Sequence, residues 1–138
     1  MAETPVLNLK GLCVQLPRGS DRAHAVEDIT FSVGAGQIVC VVGESGSGKS
    51  VTAQAVMGLL PRELNPSAGQ ILLQGEDVLQ ATASRLRDLR GTRMAMIFQE
   101  PMTALNPVMR VSDQILEVLQ AHGEPGGEDR VTELLTAV

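Results

Sequence analysis

The stretch Gln37–Leu60, QIVCVVGESGSGKSVTAQAVMGLL, decides the fold. It reads as a short apolar run, a glycine-rich loop and a helix, and the loop spells G-x-x-x-x-G-K-S from Gly43 to Ser50. Ile38-Val39-Cys40-Val41-Val42 is rich in β-branched residues, which predicts a strand buried on both faces. Gly43, Gly46 and Gly48 allow backbone to curl closely around phosphate oxygens. Successive N–H groups then point inward, and a helix starting near Lys49 adds its positive end. Lys49 supplies a mobile charge for β- and γ-phosphates, and the Ser50 hydroxyl suits Mg²⁺. Val51, Ala55, Val56, Leu59 and Leu60 recur at helical spacing, which predicts a helix that runs until Pro61.

With each fixed residue at roughly 6–7% usage, such a loop arises by chance in about 0.5% of chains of this length. The bland alternative is a flexible surface Gly/Ser loop, and the flanking strand and helix patterns argue against it. A dinucleotide fingerprint fails on spacing, because no third glycine follows Gly46 and Gly48 in G-x-G-x-x-G register. The loop reads as a nucleotide phosphate site.

The 138 residues suffice for one domain with a real core. Phe31 and Phe98 are the only aromatic residues, so that core must be aliphatic. The formal net charge is −5, and basic residues cluster only along Arg85–Arg93, which argues against a nucleic-acid partner. Cys13 and Cys40 sit in apolar runs without C-x-x-C or Cys/His spacing and read as two buried reduced thiols. The N-terminus shows no signal pattern, and no apolar run approaches a membrane-spanning length. These features place the chain in the cytoplasm, with any membrane role requiring a partner.

Apolar alternation predicts strands over Val6–Leu16 and Ala25–Val33, joined by a turn at Pro17–Asp21. Beyond Pro61, Arg62–Gly69 reads as a loop and Gln70–Gln74 as a short strand ended by Gly75. Ser84–Arg90 reads as a short helix stopped by Gly91, its arginines forming a solvated face. RMAMIF, Arg93–Phe98, reads as a second buried strand that delivers Gln99 into the loop 100–107. A helix from Ser112, as N-cap, to His122 follows, with Val111, Ile115, Val118 and Leu119 on one face. Glu128 and Asp129 open a last helix whose stripe is Val131, Leu134, Leu135 and Val138. That stripe stops without a cap, which reads as a truncated domain.

Together, GESGSGKSVTAQAVMGLLP and MAMIFQEPMTALNP closely resemble the ATP-binding subunits of ABC transporters, in the branch that imports oligopeptides, dipeptides, glutathione or nickel. AVEDITFSV and GQILLQGEDVL extend the likeness over essentially the whole chain. The phosphate loop is shared with many NTPases, whereas FQEPMTALNP is specific to this branch. The resemblance implies an α/β fold: a P-loop NTPase (ABC ATPase) core, an antiparallel β subdomain and the start of a helical subdomain. In that core, Ile38–Val42 and Arg93–Phe98 would be parallel strands. Residues 1–138 would be the N-terminal portion of a nucleotide-binding domain.

The same likeness implies roles for matching positions. Gly43, Glu44, Ser45, Gly46, Ser47, Gly48, Lys49 and Ser50 would form the Walker A loop around ATP, with Val51 following at the helix start. Gln99 would be the Q-loop glutamine, touching Mg²⁺ and the attacking water and linking the core to the helical subdomain. An amide is suited to this, since it ligates a cation and orients water without changing charge. Lys49 and Gln99 are thus the catalytic candidates, and Ser50 and Gln99 the metal ligands. Implied partners are transmembrane permease subunits, a second ATP-binding subunit or domain and, indirectly, a substrate-binding protein, at the cytoplasmic face of the membrane.

Departures are as informative. Nothing matches the family's LSGGQ signature, its Walker B Asp-Glu or its switch histidine, and Gly126-Gly127 lacks the neighbouring Ser and Gln. His24 and His122 lie too early for that histidine and read as surface residues. The aromatic residue that stacks on adenine is missing, with Leu16 or His24 as substitutes. A nucleotide-binding module without hydrolysis, and a non-transport ABC ATPase, are the rival readings. Without partner strands the chain alone is expected to be inactive and to self-associate.

Overall fold

Leu7, Leu9, Leu12 and Val14 keep an apolar alternation with one break in phase, which the fold absorbs as a bulge. The computed structural model describes residues 4–100 and 104–138. Within them β1 (Leu7–Gln15) pairs antiparallel with β2 (His24–Val33) on one side and β3 (Asn65–Leu73) on the other. β3 also pairs with the two-residue β4 (Glu76–Asp77), giving the order β2-β1-β3-β4. The register slips between Leu9 and Leu12 against β2 and between Lys10 and Cys13 against β3, and Gly11 sits within both intervals at φ 58°. The extra residue lets Leu9, Leu12 and Val14 all face inward, each with no exposed surface. The freed Gly11 N–H donates to the Thr30 hydroxyl at 2.8 Å, and Gly69 crosses so closely that a side chain there would meet the Gly11 carbonyl.

The core is aliphatic, as the composition requires. Leu9, Leu12, Val14 and Ile71 are fully enclosed, with Val26, Leu73 and Val78 buried as well. Enclosing one such side chain contributes about 1.5–3 kcal/mol. The expected strands 6–16 and 25–33 therefore form, and the alternation that predicted them is the alternation that is buried. The strand expected at 70–74 forms too but starts earlier: Asn65–Gly69, read as loop, joins the ladder through Cys13↔Ala68 and Gln15↔Asn65. Pro66 is tolerated there opposite Val14 at a register shift.

Helix α1 (Lys49–Val56) lies against β2 and buries Thr52 and Ala55. It ends before Pro61, contrary to the expectation. Gly58, at φ 62°, donates to the Ala55 carbonyl at 3.0 Å, and Leu59 donates to Gln54 at 2.8 Å. Those paired bonds form a Schellman cap, so a glycine and not the proline sets the boundary. Past a 3₁₀ turn at Val78–Gln80, helix α2 (Ala83–Leu89) forms where expected. Its Arg85 makes a two-pronged ion pair with Glu76, 2.8 Å on each prong, so this arginine braces β4 and is not simply solvated. The Arg85 hydrogen bond holds the Glu76 carboxyl below its ordinary pKa.

The chain divides into two compact units, Met1–Leu86 and Arg87–Val138. In the second unit α3 (Val111–Ala121) packs with α4 (Glu128–Thr136), the helices expected after Gln99. The N-cap of α3 is Arg110 and not Ser112, and no side chain caps it. Gln114 instead reaches back over the preceding loop, accepting from the Asn106 N–H at 2.9 Å and donating to the Asn106 and Met109 carbonyls at 3.1 and 3.2 Å. Val131 of the α4 stripe is buried and Leu134 half-buried, while Leu135 and Val138 are exposed.

Three further expectations fail among the described residues. Ile38–Val42 forms no strand, and Ile38 and Val42 are 92% and 89% exposed. Arg93–Phe98 forms no strand either, with Ile97 97% exposed and a single bridge joining Arg90 to Met94. An apolar β-branched run forms a strand only with hydrogen-bonding neighbours, which the ladders β1–β4 do not supply. Cys40 is consequently exposed, and Cys13 only half-buried, its sulfur accepting the Asp28 N–H at 3.3 Å. Of the loop 100–107, residues 101–103 lie outside the described residues.

Chemical denaturation checks this division of labour. Leu12→Ala should cost about 2–5 kcal/mol. Val42→Lys should change stability by less than about 0.5 kcal/mol while raising the monomer fraction in ultracentrifugation, because it charges an unpaired apolar edge. Comparable losses from both would place Ile38–Val42 in the core.

Candidate functional site

Hydrogen bonds from Ser47, Lys49 and Arg22 and one tight contact shape the loop Gly43–Ser50. Ser47 donates its N–H to the Glu44 carbonyl at 3.3 Å, closing a turn. Lys49 folds its side chain back over that turn, its Nζ donating at 2.7 Å to both the Gly43 and Glu44 carbonyls, with the Ser47 hydroxyl 3.4 Å away. The ammonium thus stands at the mouth of the loop. From outside, Arg22 Nη2 donates to the Gly46 carbonyl at 2.9 Å.

The tight contact belongs to Gly48. It has φ 93°, and a Cβ there would lie 2.7 Å from the Ala25 carbonyl oxygen and 3.0 Å from Val26 Cγ2. Only glycine fits, because both the torsion and the backbone of β2 exclude a side chain. This contact seats the start of α1 on the sheet.

Gly48 is also the N-cap of α1, and it offers no side chain to satisfy the helix's first N–H groups. The first intrahelical bond is Thr52 N–H to the Gly48 carbonyl at 2.8 Å, reinforced by the Thr52 hydroxyl at 3.0 Å. The N–H groups of Lys49, Ser50 and Val51 therefore precede the ladder, and no acidic residue occupies the first turn. A positive, donor-rich helix end beside an ammonium is what a phosphate chain requires.

The described structure brings Gly43, Glu44, Ser45, Gly46, Ser47, Gly48, Lys49, Ser50 and Val51 into one turn-and-helix unit. Ser50 is exposed and its hydroxyl has no hydrogen-bond partner among the described residues. Gln99 belongs to the second unit, where it is exposed and lines an open depression with Phe98, Glu100 and Ala104. Leu16 and His24 flank the mouth of the β1–β2 hairpin, both half-buried, and His24 Nδ1 lies 3.9 Å from Glu27. His122 packs its ring over Gly91, where a Cβ would lie 2.6 Å from Nε2, so it is a half-buried packing residue and not a surface one. Among the described residues no cluster of three or more His, Cys, Asp or Glu could hold a metal, and no helix is long and apolar enough to cross a membrane.

Arg22 and Gln114 escaped the sequence reading. Both act through backbone carbonyls of loops, 24 residues away for Arg22 and 5 to 8 for Gln114, and no motif announces such a partner.

The chain belongs to the ABC transporter family, whose profile matches residues 26–138. Membership implies nucleotide binding, with ATP as the family's nucleotide. The chain is 49% identical, over 119 residues, to a probable D,D-dipeptide transport ATP-binding protein of Escherichia coli, covering 86% of this chain and 36% of that protein. It is 38% identical to an oligopeptide transport ATP-binding protein of Bacillus subtilis, covering 98% of this chain and 39% of the relative. Among solved structures, a bacterial Atm1-family ABC exporter with ATP bound aligns with 66% of this chain and 15% of its own, at 30% identity and a TM-score of 0.49. The chain therefore spans well under half the length of these curated relatives.

Thermal unfolding of two alanine variants tests the seat of the loop. Gly46→Ala meets open space and should cost only the left-handed strain of about 1–2 kcal/mol. Gly48→Ala carries the same strain and also strikes the Ala25 carbonyl, so it should lower the melting temperature clearly further. Equal losses would show that α1 is not seated through Gly48.

Proposed function

We propose that the chain is the Walker A part of the ATP-binding subunit of an importer for peptides or related small solutes. The observation that carries this reading is the Lys49 ammonium poised over the Gly43 and Glu44 carbonyls, at the uncapped amino end of α1. When ATP enters, its β- and γ-phosphates exchange those carbonyls for themselves as partners of Lys49. The backbone from Gly43 to Val51 wraps the phosphate chain. The peptide substrate class is supported by relatives whose names specify dipeptide and oligopeptide transport.

The donor chemistry fits Mg²⁺. Ser50 offers an exposed hydroxyl without a partner among the described residues, and Gln99 offers an exposed amide oxygen. Hard oxygen donors of this kind, with phosphates completing the shell, suit a cation that keeps several waters. The metal would neutralise charge on the phosphates. In the whole protein, Gln99 would also orient the attacking water and couple the nucleotide to the helical part. Residues 1–138 serve as the N-terminal portion of a nucleotide-binding domain in this reading. Further strands would flank Ile38–Val42 and Arg93–Phe98.

Conformational work follows from differential affinity: a pair of such domains closed around ATP is favoured over the open pair, and hydrolysis removes that bias. Partners are permease subunits, a second ATP-binding subunit or domain, and indirectly a substrate-binding protein, at the cytoplasmic face of the membrane. By itself the chain would bind ATP without turning it over.

Lys49→Ala separates this reading from a merely decorative loop. Calorimetric titration with Mg-ATP should show binding to the wild-type chain and a loss of at least about tenfold in the variant, with an unchanged circular dichroism spectrum. Unchanged affinity would overturn the phosphate assignment.

A further inference from the structure

The Arg22 bond to the loop lies four residues ahead of the matched family segment. We infer that Arg22 is a positioning residue for the phosphate loop, holding the Gly46–Ser47 peptide so that its N–H pole faces the loop interior. This inference rests on the ATP-binding reading and adds to it a residue that touches no phosphate.

The geometry begins with the hairpin that carries Arg22. The mouth between β1 and β2 is closed by the Leu16 N–H donating to the Ala23 carbonyl at 3.0 Å, beside Arg22. Within the turn, Ser20 donates both its N–H, at 3.3 Å, and its hydroxyl, at 2.8 Å, to the Pro17 carbonyl. Arg22 therefore projects from an anchored base. Its Nη2 takes the Gly46 carbonyl at 2.9 Å.

A trans peptide points its C=O and the following N–H in opposite directions. With the Gly46 oxygen drawn toward Arg22, the Ser47 N–H is turned the other way, and it donates to the Glu44 carbonyl at 3.3 Å. That same carbonyl receives the Lys49 ammonium at 2.7 Å. The N–H pole of the peptide and the lysine charge thus converge on one place, which is where a phosphate oxygen would displace the Glu44 carbonyl.

Gly46 makes such a hold necessary. At φ 78°, and with nothing within 4 Å of the position a Cβ would take, Gly46 has no packing on that side, and its peptide is oriented by the Ser47 N–H bond to Glu44 and the Arg22 bond to the Gly46 carbonyl. A flipped peptide would present its carbonyl, and a carbonyl repels phosphate. Gly48 needs no equivalent, because Ala25 and Val26 close on it. The loop is thus gripped twice, by packing of Gly48 against Ala25 and Val26 of β2 and at Gly46 by Arg22, two residues before that strand.

Calorimetric titration of the full chain with Mg-ATP tests the role, using Arg22→Ala, Arg22→Lys, Arg18→Ala and Lys49→Ala. Arg18 is exposed in the same turn, carries the same charge and makes no bond to the loop among the described residues. Arg22→Ala should weaken ATP binding about tenfold with an unchanged melting temperature. Arg22→Lys should recover most of that loss, and Arg18→Ala should bind like wild type. A wild-type affinity in Arg22→Ala, alongside lost binding in Lys49→Ala, overturns the positioning role and leaves the phosphate site standing. Equal weakening by Arg18→Ala also overturns it, since bulk charge would then be the cause. A wild-type chain that binds no ATP overturns both.

Discussion

The first unit depends on the approach of Gly48 to the backbone of β2. The helix that follows the loop has eight residues and would not persist alone, so its direction comes from what it is pressed against. Gly48 brings the start of α1 within van der Waals contact of the Ala25 carbonyl, and Thr52 and Ala55 bury the adjoining face. Everything required of the loop follows from that seat. The uncapped N–H groups, the lysine folded across the turn and the peptide held by Arg22 all take their positions from a helix that cannot move away from the sheet.

The sheet in turn depends on a bulge in β1 that takes up a break in the apolar phase. Leu9 and Leu12 stand three apart in a pattern of period two, and the fold meets that spacing with a register shift between them against β2. Gly11 is the residue that can take it, and Gly69 is the neighbour that must leave room. Local pattern was thus sufficient for β1, β2, α2 and α4. The turn and helix start at Gly43–Ser50 were legible for the same reason, since the motif's fixed residues lie within eight positions of one another.

What local pattern could not show is who pairs with whom. Ile38–Val42 and Arg93–Phe98 have the composition of buried strands, yet burial is a property of neighbours, and the described residues leave both runs largely exposed. Asn65–Gly69 erred in the other direction: Asn, Pro, Ser and Gly read as loop, while the register with Cys13–Gln15 makes them strand. The end of α1 followed the same logic on a smaller scale, because two hydrogen bonds around Gly58 act before Pro61 can. Arg22 and Gln114 reach carbonyls 24 and 8 residues away, respectively, and only the fold brings those partners together.

The central claim is that the backbone from Gly43 to Val51, seated on β2, is a phosphate receptor. Titrating Mg-ATP into the isotope-labelled chain while following amide resonances tests it most directly. The account predicts the largest shifts at Gly46, Gly48, Lys49 and Ser50, with Ala25 and Val26 nearly still because they form the seat. Shifts centred instead on the apolar groove lined by Ile115, Leu119 and Leu134, or no shifts at saturating nucleotide, would contradict it.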